Sequence, residues 1–134
     1  GAAQYTAFLT GDDSVPPVQT ASTGELIMDY DPVDFILTYS LSLSGLSNPS
    51  SAAIYEGAPG TTGTVVYVLF GGPPETATAY EGELVSGAIE PGKFTGSLVG
   101  GTIGDLIALI QAGNAYVSVG NTSHPLDAIR GPIN

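Results

Sequence analysis

The sequence contains no cysteine, and this absence excludes several kinds of chemistry. Without cysteine the chain has no disulfide framework, no thiolate metal site and no thiol nucleophile. Tryptophan is also absent, which counts against a sugar-cleaving cleft, because such clefts usually offer aromatic platforms. Stability must come from a hydrophobic core, which 134 residues are long enough to build.

Positive charge is nearly absent as well. The basic residues are Lys93 and Arg130, compared with thirteen acidic residues, and the formal net charge is −11. Because neutralising phosphates requires Lys and Arg, the composition predicts no nucleic-acid partner and disfavours anionic membrane surfaces. No apolar run reaches the roughly 20 residues of a membrane-spanning helix, so no membrane insertion is predicted. Divalent cations and cationic partners remain compatible with this charge.

Glycine and proline are plentiful, with 19 and 10 residues, and they separate short β-rich runs. This pattern predicts an all-β, antiparallel sandwich or barrel, Greek-key-like, in one domain spanning residues 1–134. In the clearest strand, 35–44, alternate residues are predicted to face the core and the residues between them are mostly polar. The core-facing set is Phe35, Leu37, Tyr39, Leu41 and Leu43. The other predicted strands are 5–10, 25–30, 52–55, 65–70, 79–86, 94–99, 115–119 and 128–130.

One segment has helical rather than strand periodicity. Leu106, Ile107, Leu109 and Ile110 are spaced as on one face of a helix. An acidic residue in the first turn and glycine after the last turn are typical of helix ends. The sequence therefore predicts one short α-helix near residues 105–112. Leu106 and Ile110 are predicted to be buried with Val66 and Val117.

Four motifs in a fixed order resemble the chordin-type (CHRD) domain family. They comprise Leu-Thr-Gly at 9–11 with Val-Pro-Pro-Val at 15–18; Leu-Thr-Tyr at 37–39 with Leu-Ser-Gly-Leu at 43–46; Ala-Ala-Ile-Tyr-Glu-Gly at 52–57; and the helix followed by 112–117 and His-Pro at 124–125. The resemblance spans nearly the whole chain. It implies a compact β-sandwich or barrel with one short helix, and secretion or display at the cell surface.

The chain departs from the family at its histidines. The family often has Ala-His-Ile-His where this chain has Ala53 and Tyr55, and a further histidine where Gly120 stands. His124 is the one histidine left, with Asp127 as the only nearby second ligand. Since a zinc site needs three or four protein ligands, these two are weak candidates for copper or another transition metal, and a redox role is disfavoured.

Two further candidate sites follow from local patterns. Asp29, Asp31 and Asp34 lie around a predicted tight turn and could offer oxygen ligands to calcium, although the pattern favours a solvated turn. Asn121-Thr122-Ser123 is a glycosylation sequon, which makes Asn121 a candidate for modification. No other cofactor is predicted. No Gly-x-Ser-x-Gly motif is present, so no enzyme is predicted.

These observations favour a structural module over a binding module. We expect an extracellular subunit that associates with copies of itself through strand edges, with a filament as one outcome. The uncharged N-terminal segment supplies the predicted contact residues, which are Tyr5, Thr6, Ala7, Phe8 and Leu9. The alternatives are a monomeric module that binds a protein, a glycan or calcium, and a transition-metal protein. Arg130, on the last strand, is expected to form a structural ion pair or to bind carbonyls.

Overall fold

Eight β-strands and one α-helix make up most of the described chain. The computed structural model describes residues 3–134. In chain order the elements are β1 Ala3–Thr10, β2 Thr23–Asp31, β3 Ile36–Leu46, β4 Pro49–Glu56, β5 Thr64–Phe70, β6 Tyr80–Ala88, α1 Ile103–Gln111, β7 Ala115–Asn121 and β8 Ile129–Pro132. The predicted all-β fold with one short helix is therefore confirmed.

The strands form a single antiparallel sheet in the order β5-β4-β7-β8-β1-β2-β3-β6. The sheet curls until it is nearly closed into a barrel. It remains open between β5 and β6, which are consecutive in the chain but are not hydrogen-bonded to each other. These two strands are therefore the edges of the sheet.

The interior of the barrel is filled by every second residue of most strands. Leu26 and Met28 of β2 and Leu37 and Leu41 of β3 are fully buried, as the alternating pattern requires. Six of the residues that the sequence predicts to be buried are buried: Leu37, Leu41, Val66, Leu106, Ile110 and Val117. Tyr39, which is paired with Gly87 of β6, is only partly buried and packs against the core.

The helix begins at Ile103, two residues before the predicted start. Thr102 caps it: the Thr102 side chain accepts a hydrogen bond from the Asp105 amide (3.2 Å), and Asp105 Oδ2 accepts one from the Thr102 amide (2.9 Å). This reciprocal capping box satisfies two amides that would otherwise lack partners. In the described part of the chain, no helix is long and apolar enough to cross a membrane.

Two predictions about individual segments are wrong. Residues 94–99, predicted as a strand, contain a 3₁₀ turn, Gly96–Leu98, in which Gly96 has a φ of +60° that an extended strand does not use. Phe35, predicted to be in the core, has a φ of +58° in the β2–β3 turn and is 69% exposed. The strand alternation begins only at Ile36, so Phe35 is outside the pattern that the sequence suggested.

Candidate functional site

The outer face of the sheet at β7 and β8 carries a buried polar cluster. Along β7, Ala115, Val117 and Val119 belong to the barrel core, so Tyr116 and Ser118 point to the opposite face. Arg130 of β8 is paired in register with Ser118. All three outward side chains are nevertheless buried, because residues 11–22, 57–63 and 122–128 fold over them.

Asp127 and Arg130 form the ion pair at the centre of this cluster. Arg130 Nη2 lies 2.8 Å from Asp127 Oδ2, and the two side chains are only 6% and 12% exposed. Asp127 Oδ1 accepts hydrogen bonds from the Ser14 (3.0 Å) and Ser118 (2.9 Å) hydroxyls, and Oδ2 accepts one from the Val15 amide (3.1 Å). Every lone-pair direction of this carboxylate is occupied, so the arrangement is structural and offers no free base.

Aromatic stacking completes what we call the Arg130 cluster: Arg130, Asp127, Ser118, Tyr116 and Tyr55. The Arg130 guanidinium lies 4.1 Å from the centre of the Tyr116 ring, and Tyr55 stacks on Tyr116 at 5.0 Å with the rings 5° from parallel. The Tyr116 hydroxyl accepts a hydrogen bond from the Gly63 amide (2.9 Å). Burial raises the pKa of the Tyr55 phenol, and the neighbouring Tyr116 raises it further.

The expected role of Arg130 is confirmed. It forms the ion pair with Asp127 and also donates a hydrogen bond to the Thr61 carbonyl. The sequence did not reveal the partner, since it indicated Asp127 only as a companion of His124. It also did not reveal the stacked Tyr55 and Tyr116. The sequence offers one signal for the tyrosines, since each occupies an outward position in a predicted strand. That the two strands pair in register is known only from the structure.

The transition-metal candidates do not come together as a site. Asp127 is fully engaged with Arg130 and its hydrogen-bond donors, whereas His124 lies exposed on the loop before it. The positions where the family often has histidine, Ala53, Tyr55 and Gly120, all lie on the outer face of β4 and β7. A Cβ at Gly120 would be 2.2 Å from the Pro125 carbonyl oxygen, so no side chain fits there under the present loop. The residues present therefore do not fit a histidine-rich metal centre.

Two of the three aspartates around the β2–β3 turn accept hydrogen bonds from different partners. Asp31 Oδ1 accepts hydrogen bonds from the Val33 (2.9 Å) and Asp34 (3.3 Å) amides and so stabilises the turn. Asp29 Oδ1 accepts one from Gln4 (3.2 Å) on the neighbouring strand. Within residues 3–134, no group of three or more His, Cys or acidic side chains is placed to hold a metal ion. Calcium binding by Asp29, Asp31 and Asp34 thus stays a prediction.

Asn121 is the last residue of β7 rather than a loop residue, and it is 5% exposed. The Oδ1 of Asn121 accepts a hydrogen bond from the His124 backbone amide (2.7 Å). The backbone amide of Asn121 in turn donates to the His124 carbonyl (3.1 Å). The sequon therefore opens a tight loop instead of extending freely into solvent. Modification at Asn121 stays a prediction.

The predicted contact residues, Tyr5 to Leu9, all belong to β1, which lies inside the sheet. This strand pairs with β2 along its whole length, and Thr6 exchanges two hydrogen bonds with Asn134 on the other side (3.0 and 2.8 Å). Its backbone is thus largely satisfied within its own barrel. Gly1 and Ala2, which complete the predicted N-terminal segment, lie outside the described residues.

The fold and this outer face define an all-β module held together by a covered polar cluster. The CHRD domain family model matches residues 5–133, which is nearly the whole chain. The chain therefore belongs to the CHRD domain family, whose domains are in general non-catalytic and occur in extracellular proteins. No curated protein and no solved structure matches it.

Proposed function

We propose that this chain is a non-enzymatic structural module, secreted or displayed on the cell surface, that joins further copies of itself through the edge of β5. The observation that carries the proposal is the opening of the barrel between β5 and β6. A strand edge presents backbone amides and carbonyls that a strand from another chain can pair with. Pairing of β5 with β5 of a second copy gives a closed two-fold dimer, whereas pairing of β5 with a different strand of the next copy repeats head to tail and gives a filament.

The two edge strands differ in their protection. β6 carries two exposed acidic residues, Glu81 and Glu83, and acidic side chains discourage pairing of one edge with another. β5 has no charged residue in Thr64–Phe70, and its Val68 is 54% exposed. Of the two, β5 is the edge that favours a partner.

Only part of the β5 edge is already covered by the chain itself. The Thr95 amide donates to the Val66 carbonyl (2.8 Å), and the Thr95 hydroxyl donates to the Val65 carbonyl (2.9 Å). Phe94 packs edge-on against Tyr67 at 5.7 Å. No comparable contact reaches Val68 or Phe70 in the described residues. This end of β5 is therefore the proposed contact.

A charge placed on this edge tests the proposal. Val68→Lys should lower the self-association constant at least tenfold, because pairing would bury an ammonium group. Phe8→Lys is the matched control, since Phe8 is 61% exposed but lies on the interior strand β1. Sedimentation velocity measures association, and circular dichroism checks the fold. A wild-type protein that stays monomeric at millimolar concentration, or equal effects of the two variants, would refute the contact.

Exchange of β1 between copies is the competing route and can be locked out. Thr6 and Asn134 exchange two backbone hydrogen bonds. The Cα atoms of such a pair are typically about as far apart as the Cα atoms of two residues joined by a disulfide. The chain has no cysteine, so Thr6→Cys with Asn134→Cys introduces a single possible bridge. The oxidised variant should associate like the wild type if β5 makes the contact. Association that requires reduction would instead identify β1 exchange.

A further inference from the structure

A polar pocket lies at the end of the barrel where β1 leads into the loop before β2. Its volume is about 280 Å³, and its wall is formed by residues 18–20, 22, 45–47, 78, 121, 123, 124 and 128. Eight of its twelve lining residues carry a hydroxyl, an amide or an imidazole, and none is acidic, lysine or arginine. The other four include Val18, Leu46 and Ala128, which provide apolar surface beside the polar groups.

Asn121 presents an unused donor at this pocket. Because the His124 amide donates to Oδ1, the hydrogen-bond pattern assigns the other end of the side chain as the NH₂ group. No protein group accepts from this Nδ2, and it is not among the fully buried unpaired atoms of the described chain. Since the residue is 5% exposed and lines the pocket, the pocket is where its Nδ2 is accessible.

Other wall groups are also ordered in advance of any ligand. Ser22 is 8% exposed; its hydroxyl donates to the Gly45 carbonyl (2.7 Å) and accepts from the Thr20 hydroxyl (3.0 Å). Such fixed hydroxyls, next to an apolar strip, suit a ligand that has a hydroxyl rim and a C–H face. A charged ligand would find no counter-charge in the wall, and an anion would also be repelled by the net charge of −11.

We propose that this pocket binds a neutral sugar residue, with the Asn121 Nδ2 as its central contact. This inference is independent of the β5 contact, because none of the lining residues belongs to β5. The sugar could reach the pocket from solvent, or it could be the first residue of a glycan attached to Nδ2 of Asn121 itself. The second source would use the sequon Asn121-Thr122-Ser123 and leave the Oδ1 hydrogen bond in place.

Titration of unmodified recombinant protein tests binding from solvent. The probes are methyl α-glucoside, methyl α-mannoside and N-acetylglucosamine at up to 50 mM, with glucuronate as the charged comparison. We expect amide NMR shifts confined to the pocket wall and weaker effects of glucuronate. Asn121→Asp keeps the acceptor for the His124 amide and removes the Nδ2 donor, so it should weaken binding at least tenfold.

A second variant keeps the test decisive if Asn121→Asp does not fold. Thr78 is an exposed wall residue, and Thr78→Phe should block the pocket without disturbing the core. Thr76→Phe, two residues earlier, exposed and outside the wall, is the matched control and should bind like the wild type. Equal binding by the two phenylalanine variants would overturn the proposed site.

Mass analysis of protein from its natural source tests the attached glycan. Trypsin can cut only after Lys93 and Arg130, so a single peptide, 94–130, carries Asn121. A mass excess localised to Asn121 by fragmentation, with pocket amide signals that change when the glycan is trimmed, supports an attached sugar. An unmodified peptide together with sugar binding supports the free ligand. An unmodified peptide and no binding at 50 mM refute the proposal.

Discussion

Tyr39 and Tyr55 are held in environments that favour the neutral phenol. Burial raises the pKa of Tyr39 above 10.0, with a further contribution from Tyr67. Burial likewise raises the pKa of Tyr55 above 10.0, and its stacked neighbour Tyr116 adds to the effect. No hydrogen bond joins either hydroxyl to the described protein groups, so replacement by phenylalanine should remove the titration while keeping the packing.

The raised pKa values predict a loss of stability in alkali. Between pH 10 and the folded-state pKa values, the unfolded chain releases these protons while the folded chain keeps them. The contribution of the two neutral phenols to the free energy of unfolding is complete below pH 10. It is lost as the pH rises through the pKa values that the two tyrosines have in the folded protein. The double variant Tyr39→Phe/Tyr55→Phe should show a shallower decline in urea midpoint from pH 10 to 12, and little change at pH 7. A decline parallel to that of the wild type would contradict this account.

For single residues, the sequence predicted the kind of interaction that a side chain makes better than it predicted the residue with which the side chain interacts. Arg130 could be assigned a structural ion pair because an isolated arginine on a strand needs a counter-charge. Its partner, Asp127, depends on how residues 122–128 wrap over β7, which no local pattern records. For Phe35 the prediction of burial was wrong. Phe35 alternates with Leu37 in the sequence, but its positive φ places it in the turn and outside the strand.

At the scale of elements, Asp127 joins segments that are distant in the chain. It binds Ser14 and Val15 of the β1–β2 connection, Ser118 of β7 and Arg130 of β8. Asp127→Asn should lower the free energy of unfolding by about 3–5 kcal/mol, because it leaves a buried guanidinium without an ionised partner. Urea denaturation measures the loss. Hydrogen exchange should also accelerate at the Val15 amide, whose acceptor is Asp127.

The control for this variant is Asp13→Asn. Asp13 is exposed in the same connection and should change stability by no more than about 0.5 kcal/mol. Equal stability of the two variants would show that the ion pair contributes nothing beyond its hydrogen bonds. Rescue of Asp127→Asn by Arg130→Met would support the uncompensated charge as the cause.

Element boundaries were predictable where the local signals agreed. Helical spacing and a glycine stop placed α1 within two residues of its observed bounds, although the Thr102–Asp105 capping box moves its start earlier. The segment after β6 was missed because Phe94 and Leu98 are apolar and buried, as strand residues would be. Its conformation depends on Gly96 and on the Thr95 bond to β5, which is a tertiary contact.

At the scale of the whole molecule, the sequence predicted an all-β class but not which strands form the edges. The order of the strands places the N-terminal strand inside the sheet and leaves two consecutive strands, β5 and β6, unpaired with each other. This arrangement depends on long-range pairing, such as Thr6 with Asn134, which alternation and turn residues do not encode. The candidate contact therefore moves from β1 to β5 only once the sheet order is known.

The distribution of charge over the molecule makes a final prediction about association. Of the two basic side chains, Arg130 is buried against Asp127, and Lys93 is exposed in an ion pair with Glu90 (2.8 Å), so Lys93 is the one basic side chain that a second copy can reach. Copies with a net charge of −11 repel one another, so we expect a contact made mainly by uncharged groups. Raising NaCl from 10 mM to 1 M shortens the screening length from about 30 Å to about 3 Å. The association constant should therefore rise at least tenfold, as measured by sedimentation in the presence of EDTA. Dissociation at high salt would show that ion pairs make the contact, whereas association that appears only with added calcium would implicate the surface aspartates instead of the β5 edge.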